Sequence, residues 1–191
     1  MRARTPLALM FSFLLMTAAA AHASLGLSPV LTLDGSVDGV ELGWSVATAG
    51  DVNGDGYSDV LVSEPHYAGL AGSNEGRVRL YLGGPAGPNS GVDWTETGGT
   101  AGMQFGYCVA AAGDVNGDGF DDVLVGAPYY TSGQATEGAA YLYYGSAAGL
   151  ATSPAWSYQG NNVGARLGWS VATAGDVNAD GFDDIVVGAP Y

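Results

Sequence analysis

One thirteen-residue unit constrains this chain more than any other feature. Gly50-Asp51-Val52-Asn53-Gly54-Asp55-Gly56-Tyr57-Ser58-Asp59-Val60-Leu61-Val62 returns as Gly113 to Val125 and again as Gly175 to Val187. The copies start about 62 residues apart, and a fixed period of that length is the signature of a repeat architecture. Each copy is a carboxylate-rich loop running straight into a short apolar stretch. The residues before it also recur: Leu42-Gly43-Trp44-Ser45-Val46 matches Phe105-Gly106-Tyr107-Cys108-Val109 and Leu167-Gly168-Trp169-Ser170-Val171. Each apolar run ends at a proline (Glu64-Pro65, Ala127-Pro128, Ala189-Pro190), and proline ends ladder pairing.

Two further strands are predicted in each full copy. Gly76 to Leu82 and Gly138 to Tyr144 are rich in aromatic and branched residues and close on glycine. Val92–Thr97 and Ala155–Gln159 carry Trp94 and Trp156 after a glycine, proline and serine cluster. No stretch outside the first residues shows sustained helical periodicity. The pattern predicts an all-β chain of four-stranded antiparallel sheets repeated side by side, with repeats at about 36–98, 99–160 and 161–191. Val30–Gly35 sits where the fourth strand of a preceding unit belongs, and the third copy stops after its second strand. About two and a half blades are present, fewer than the roughly four to eight of a closed propeller. Two readings follow: the start of a longer protein, or several chains completing one ring. Open end blades are expected to expose apolar faces and self-associate.

Arg2 and Arg4, an apolar run from Leu7 to Ala21 and Ala21-His22-Ala23 read as a secretory signal peptide over residues 1–23, cut after Ala23. The run is shorter than the roughly 20 residues of a membrane span, so no span is expected in the mature chain. The expected location is secreted or at the cell surface. Removing residues 1–23 leaves three arginines and no lysine against all 19 acidic residues. Nucleic acid is excluded as a partner, because binding it depends on Lys and Arg neutralising phosphates. Eleven of the acidic residues fall in the three loops, so the charge is concentrated where a cation would be held.

The spacing supports that. Acidic or amide side chains occupy the first, third, fifth and ninth places of each loop, and glycine the sixth. Alternate side chains of a tight turn converge, and glycine permits a backbone angle that a Cβ penalises. The expected ligands are Asp51, Asn53, Asp55, Tyr57 and Asp59; Asp114, Asn116, Asp118, Phe120 and Asp122; and Asp176, Asn178, Asp180, Phe182 and Asp184. The seventh residue contributes its main-chain carbonyl, with its ring expected to pack into the apolar layer. An oxygen-only set with three charges suits calcium, one ion per loop, ahead of magnesium, zinc or copper. Three carboxylates about 4 Å apart repel by roughly 1 kcal/mol per pair in water and about 4 kcal/mol at an effective dielectric of 20, and a divalent ion reverses that balance. Helix-flanked calcium loops want an acidic twelfth residue, whereas Val62, Val125 and Val187 stand there. Ala179 replaces Gly54 and Gly117 in the third copy, so the fourth place is expected not to need a positive φ.

Phe105-Gly106, the loop Asp114–Asp122 and Gly126-Ala127-Pro128 together resemble the FG-GAP repeat, the blade of the integrin α-subunit β-propeller. The first copy departs from it with Leu42-Gly43 and Ser63-Glu64-Pro65; the third has Leu167-Gly168 but keeps Gly188-Ala189-Pro190. The resemblance implies a partial β-propeller, taken from a seven-bladed ring, with calcium in hairpin loops on one face. It also implies an extracellular recognition module that binds a protein or carbohydrate on the opposite face. Carried onto this chain, that face is made of the loops Pro65–Gly76, Gly98–Gln104, Pro128–Gly138 and Gly160–Leu167, with Tyr67, Asn74, Tyr129, Tyr130, Gln134, Asn161 and Arg166 as contact residues. An accessory propeller of a larger secreted hydrolase is the alternative. Catalysis within the chain is not expected. Cys108 reads as a half-buried strand residue, and His66 fills the place of Tyr129 and Tyr191.

Overall fold

A computed structural model describes residues 31–34 and 39–191. The predicted signal peptide lies outside the described residues. Ten strands follow in order: β1 Val46–Gly50, β2 Asp59–Glu64, β3 Arg77–Tyr81, β4 Trp94–Thr97, β5 Cys108–Gly113, β6 Asp122–Ala127, β7 Ala139–Tyr143, β8 Trp156–Gln159, β9 Ser170–Gly175 and β10 Asp184–Gly188. They form two four-stranded sheets, β1-β2-β3-β4 and β5-β6-β7-β8, and a two-stranded sheet of β9 and β10, all antiparallel between sequence neighbours. The described residues are all-β, a partial β-propeller of two complete blades and half of a third. Among the described residues no helix is long and apolar enough to cross a membrane.

Packing between blades explains why the apolar runs are continuous rather than alternating. Side chains point to opposite faces along a strand, so a strand sandwiched between neighbours needs apolar residues at every place. Val123 and Val125 face the first blade and meet Leu61, Val78 and Leu80; Leu124 faces the third blade and meets Val171. All three of Val123–Val125 are fully buried. In the third blade the same run has one open side, and Val186 is 54% exposed. Among the described residues nothing packs over Val186 on the rear of that blade.

The front of the first blade is largely covered, with Tyr81 and Val62 buried. Leu31 and Leu33 lie there with Val46, Val60, Val62 and Tyr81 around a cavity of about 260 Å³. The predicted strand over residues 30–35 is only partly within the described residues, and Leu31–Asp34 pair with no strand. The segment nevertheless sits where Trp94 sits between the first two blades: Trp94 packs edge-on to Tyr143, the counterpart of Tyr81.

The glycines just before β3 and β7, Gly76 and Gly138, lock adjacent blades. Gly76 bridges Phe105, and Gly138 bridges Leu167, as isolated parallel pairs. Gly76 has φ +84°, and a Cβ there would stand 2.2 Å from the Phe105 carbonyl oxygen. Phe105 is thereby held in the first blade's core, although it precedes the second blade's first strand.

Candidate functional site

Each acidic loop closes a hairpin between the first two strands of its blade. The pairing skips a residue just before the loop, so Gly50 faces Asp59 directly after Thr48 faces Val60. A bulge of this kind bends the strand and opens room for the turn. Within the first loop the Asp51 carboxylate accepts from Asp55 N at 3.0 Å and from Gly56 N at 2.8 Å. Asn53 Oδ1 accepts from the same Asp55 N at 3.0 Å, and Asp55 Oδ1 accepts from Tyr57 N at 3.0 Å. The second loop repeats this with Asp114, Asn116 and Asp118, and the third with Asp176, Asn178 and Asp180. The first, third and fifth side chains are thus gathered onto one turn in all three copies. They are flanked by strands, with no helix.

The sixth-place glycines have φ of 89°, 89° and 92°, as the spacing requires. The fourth place corrects the sequence expectation. Gly54 and Gly117 have φ of 72° and 75°, and Ala179 is itself left-handed at 60°. The turn imposes a positive φ there whichever residue fills it.

The ninth aspartate lies deeper than the other three. Asp59 is fully buried and accepts from Val52 N at 3.0 Å and Gly83 N at 2.7 Å; Asp122 accepts from Val115 N at 3.0 Å and Gly145 N at 2.9 Å. It ties the loop to the exit of the third strand. Burial pushes the Asp122 carboxyl up to about 6 against those two N–H donors, and the charges of Asp118 and Asp114 add to the rise. Asp59 is raised in the same way, with Asp55 and Asp51 adding to it. Asp184 keeps the contact to Val177 N at 3.0 Å. Among the described residues, no group of three or more His, Cys, Asp or Glu side chains is drawn tightly enough to enclose an ion. The donors nevertheless fit a hard cation. All are oxygens, three of them sit on one turn, and the buried ninth carboxylate feels the charge of the first and fifth.

The seventh-place rings depart from expectation. Tyr57 and Phe182 are each 43% exposed rather than packed in the apolar layer. Phe120 is half-buried and lies on the preceding loop, where a Cβ at Gly54 would stand 2.7 Å from its ring; Phe182 covers Gly117 likewise.

The eighth place holds no expected ligand, yet it carries the main contact between loops. Asp121 Oδ2 accepts from Asp51 N at 2.7 Å while Asp121 N donates to Asp51 O at 3.1 Å. Asp183 treats Asp114 in the same way, at 3.0 and 3.1 Å. The sequence signal was present: aspartate at this place in the second and third copies, serine in the first.

Antiparallel pairing puts residues 44 and 66 at the strand ends opposite the acidic loop. An aromatic row runs there across all three blades. Trp44 is 5.4 Å from Tyr107 and Tyr107 is 4.9 Å from Trp169, centroid to centroid. His66, Tyr129 and Tyr191 flank the row at edge-on or tilted angles. Of the expected contact residues, Tyr129 and Arg166 join it, the Arg166 guanidinium lying 4.8–5.4 Å from the rings of Tyr129, Trp169 and Tyr191. Tyr67 instead stacks under Arg77 at 3.8 Å. His66 Nδ1 is 3.0 Å from the Glu41 carboxylate. Trp44, Tyr107 and Trp169 were legible at one place of the period, but a ring beside a strand reads equally well as core.

Two buried glutamates shape the loops on this side. Glu137 takes hydrogen bonds from Ser132 N, Gly133 N and Gln134 N, and Glu75 from Ala71 N and Gly99 N. The N–H of Gly133 is the main cause holding the Glu137 carboxyl below its ordinary value.

The FG-GAP repeat family model matches residues 42–81, 105–143 and 167–191. Among curated proteins, chicken integrin alpha-6 is 36% identical over 148 residues, covering 77% of this chain and 13% of its own length. Mouse phosphatidylinositol-glycan-specific phospholipase D is 37% identical over 171 residues, covering 86% of this chain and 20% of its own. Rat integrin alpha-7 is 31% identical over 169 residues, at 85% and 14%. The chain therefore spans between 13% and 20% of the length of these relatives. Each matched segment begins at a Phe/Leu-Gly pair, the first two running through the third strand of their blade and the last through β10, and the chain belongs to the FG-GAP repeat family.

Proposed function

We propose that this chain is a calcium-binding FG-GAP propeller segment of a secreted or cell-surface protein, and that it recognises an extracellular protein or carbohydrate. Calcium, one ion per loop, is held by the expected oxygen sets of the three loops and fixes the hairpins in register. Recognition uses the strand ends opposite the calcium. The observation that carries this reading is the division of labour between the two ends of the blades. Carboxylates gather at one end in all three copies, and an unbroken aromatic row with one guanidinium lies at the other. Aromatic faces and edges suit the apolar faces of sugars and the cationic or aromatic side chains of proteins. The test is an array of extracellular proteins and glycans probed with the full chain in calcium. Binding that disappears with Trp169→Ala while the fold persists supports the reading; binding indifferent to Trp169 and Tyr107 overturns it.

A second reading is supported by the likeness to phosphatidylinositol-glycan-specific phospholipase D, 37% identical over 86% of this chain. On it, the segment is a non-catalytic accessory propeller of a larger secreted hydrolase. The longer reading frame separates the two.

A further inference from the structure

We propose that Asp121 and Asp183 are coupling residues, each setting the cation affinity of the loop before its own. The inference rests on the calcium reading of the loops and deepens it. Asp51 supplies the first ligand of the first loop, and its main chain is bracketed on both sides by Asp121. The carboxylate takes its N–H at 2.7 Å and the Asp121 N–H takes its carbonyl at 3.1 Å. The Phe120 ring next to it rests on Gly54, inside the same loop. The arrangement occurs again between Asp183, Phe182 and the second loop.

Glycine makes room for the incoming carboxylate. A Cβ at Gly50 would stand 2.1 Å from Asp121 Oδ2, and one at Gly113 2.0 Å from Asp183 Oδ2. At Gly175, which opens the third loop, nothing lies within 4 Å. Loops one and two are clamped by a successor, and the third has no clamp among the described residues. Ser58 occupies the eighth place of the first loop, which has no acidic loop before it among the described residues.

The energetic consequence follows from ordering. A cation bound in the second loop fixes Phe120 and Asp121, so the first loop reaches its bound form with less conformational entropy to lose. Coupling free energies are reciprocal, so filling the first loop favours filling the second by the same factor. Asp121 also sets a negative charge beside the first ligand of the neighbouring loop, which favours a cation there.

Tyr57 makes the first loop separately observable. It is the only tyrosine at a seventh place, so it sensitises luminescence of Tb³⁺ standing in for Ca²⁺ in that loop; Tyr57→Phe identifies the signal. In the full chain, Asp121→Ala is expected to weaken Tb³⁺ at the first loop about tenfold, within the 5- to 150-fold range of typical couplings. Asp121→Asn, which keeps an accepting oxygen, should recover most of the loss. Asp118→Ala, which cripples the second loop, should weaken the first loop in the wild-type background and add nothing to Asp121→Ala. Should Asp121→Ala fail to fold, Asp183→Ala tests the same claim on the second loop, with Phe120→Tyr in a Tyr57→Phe background as reporter. First-loop affinity unchanged by Asp121→Ala overturns the coupling and leaves the calcium reading standing. Absence of any sensitised Tb³⁺ in the wild-type chain overturns both.

Discussion

Replacing Gly76 with alanine tests whether the blades are locked where the repeat's glycines say they are. The matched control is Gly102→Ala. The two glycines have nearly the same φ, 84° and 79°, so both substitutions incur the left-handed cost of about 1–2 kcal/mol. Their surroundings differ. Nothing lies within 4 Å of a Cβ at position 102, whereas one at position 76 meets the Phe105 oxygen, nitrogen and Cα at 2.2, 2.3 and 2.8 Å. These are backbone atoms and cannot swing aside. Relief requires the Phe105 segment to move off, which breaks the Phe105 N–H bond to Glu75 O at 3.1 Å and the Gln104 N–H bond to Asn74 O at 3.0 Å. Leaving such groups unsatisfied costs about 1–3 kcal/mol each, which with the left-handed cost brings Gly76→Ala to about 3–8 kcal/mol. At roughly 2–4 °C per kcal/mol for a chain of this size, Gly102→Ala should lower Tm by about 2–8 °C and Gly76→Ala by about 6–32 °C. Thermal unfolding followed by near-ultraviolet circular dichroism, at one fixed calcium concentration, gives both numbers. Equal shifts would show that Gly76 serves only its own turn and that the close approach of Phe105 is not part of the blade junction.

Two further outcomes are expected. Glu64 is fully buried at the front of the first blade and accepts from both Arg77 Nε and Arg79 Nη2, so Glu64→Ala should cost about 3–5 kcal/mol in urea unfolding. Adding Arg77→Ala and Arg79→Tyr, which copies Ala127, Ala139 and Tyr141 of the second blade, should return most of it; no recovery would show that the ion cluster is not the cause. Backbone donors hold the Glu137 carboxyl below its ordinary value, so its contribution is complete above the unfolded carboxylate range and is lost as pH falls through the depressed folded value. Amide exchange in the Thr131–Thr136 loop, corrected for intrinsic rates, should therefore rise in acid, and Glu137→Gln should exchange fast already at neutral pH; a loop indifferent to both would remove Glu137 as its anchor.

The fold was largely legible because a repeat states its architecture several times. One copy of Asp-Val-Asn-Gly-Asp-Gly could be a turn, but three at one spacing, each followed by a branched apolar run and a proline, define a hairpin. The strand ends predicted from those prolines and glycines lie within a residue or two of β2, β3, β6 and β7. What escaped was whatever depends on the neighbouring copy. Asp121 and Asp122 are adjacent acids in the same loop, yet one reaches back to the preceding blade and the other turns into its own. A period locates equivalent residues without saying which blade each one touches. Ala179 misled for a related reason: φ there is set by the turn's hydrogen bonds, which outweigh one residue's intrinsic preference. The rings of Phe120 and Phe182 lie on Gly54 and Gly117 of the preceding loop rather than between sheets, and Tyr57 has no acidic loop before it among the described residues to rest on.

Counting calcium bound to the purified chain, by elemental analysis after exhaustive dialysis against a calcium buffer, tests the oxygen-donor assignment without any assumption about a ligand. Three ions per chain are expected, with Asp51→Ala, Asp114→Ala and Asp176→Ala each removing about one and chelation lowering the melting temperature. A chain that carries no calcium, or a count that those three substitutions leave untouched, would contradict the account at its root.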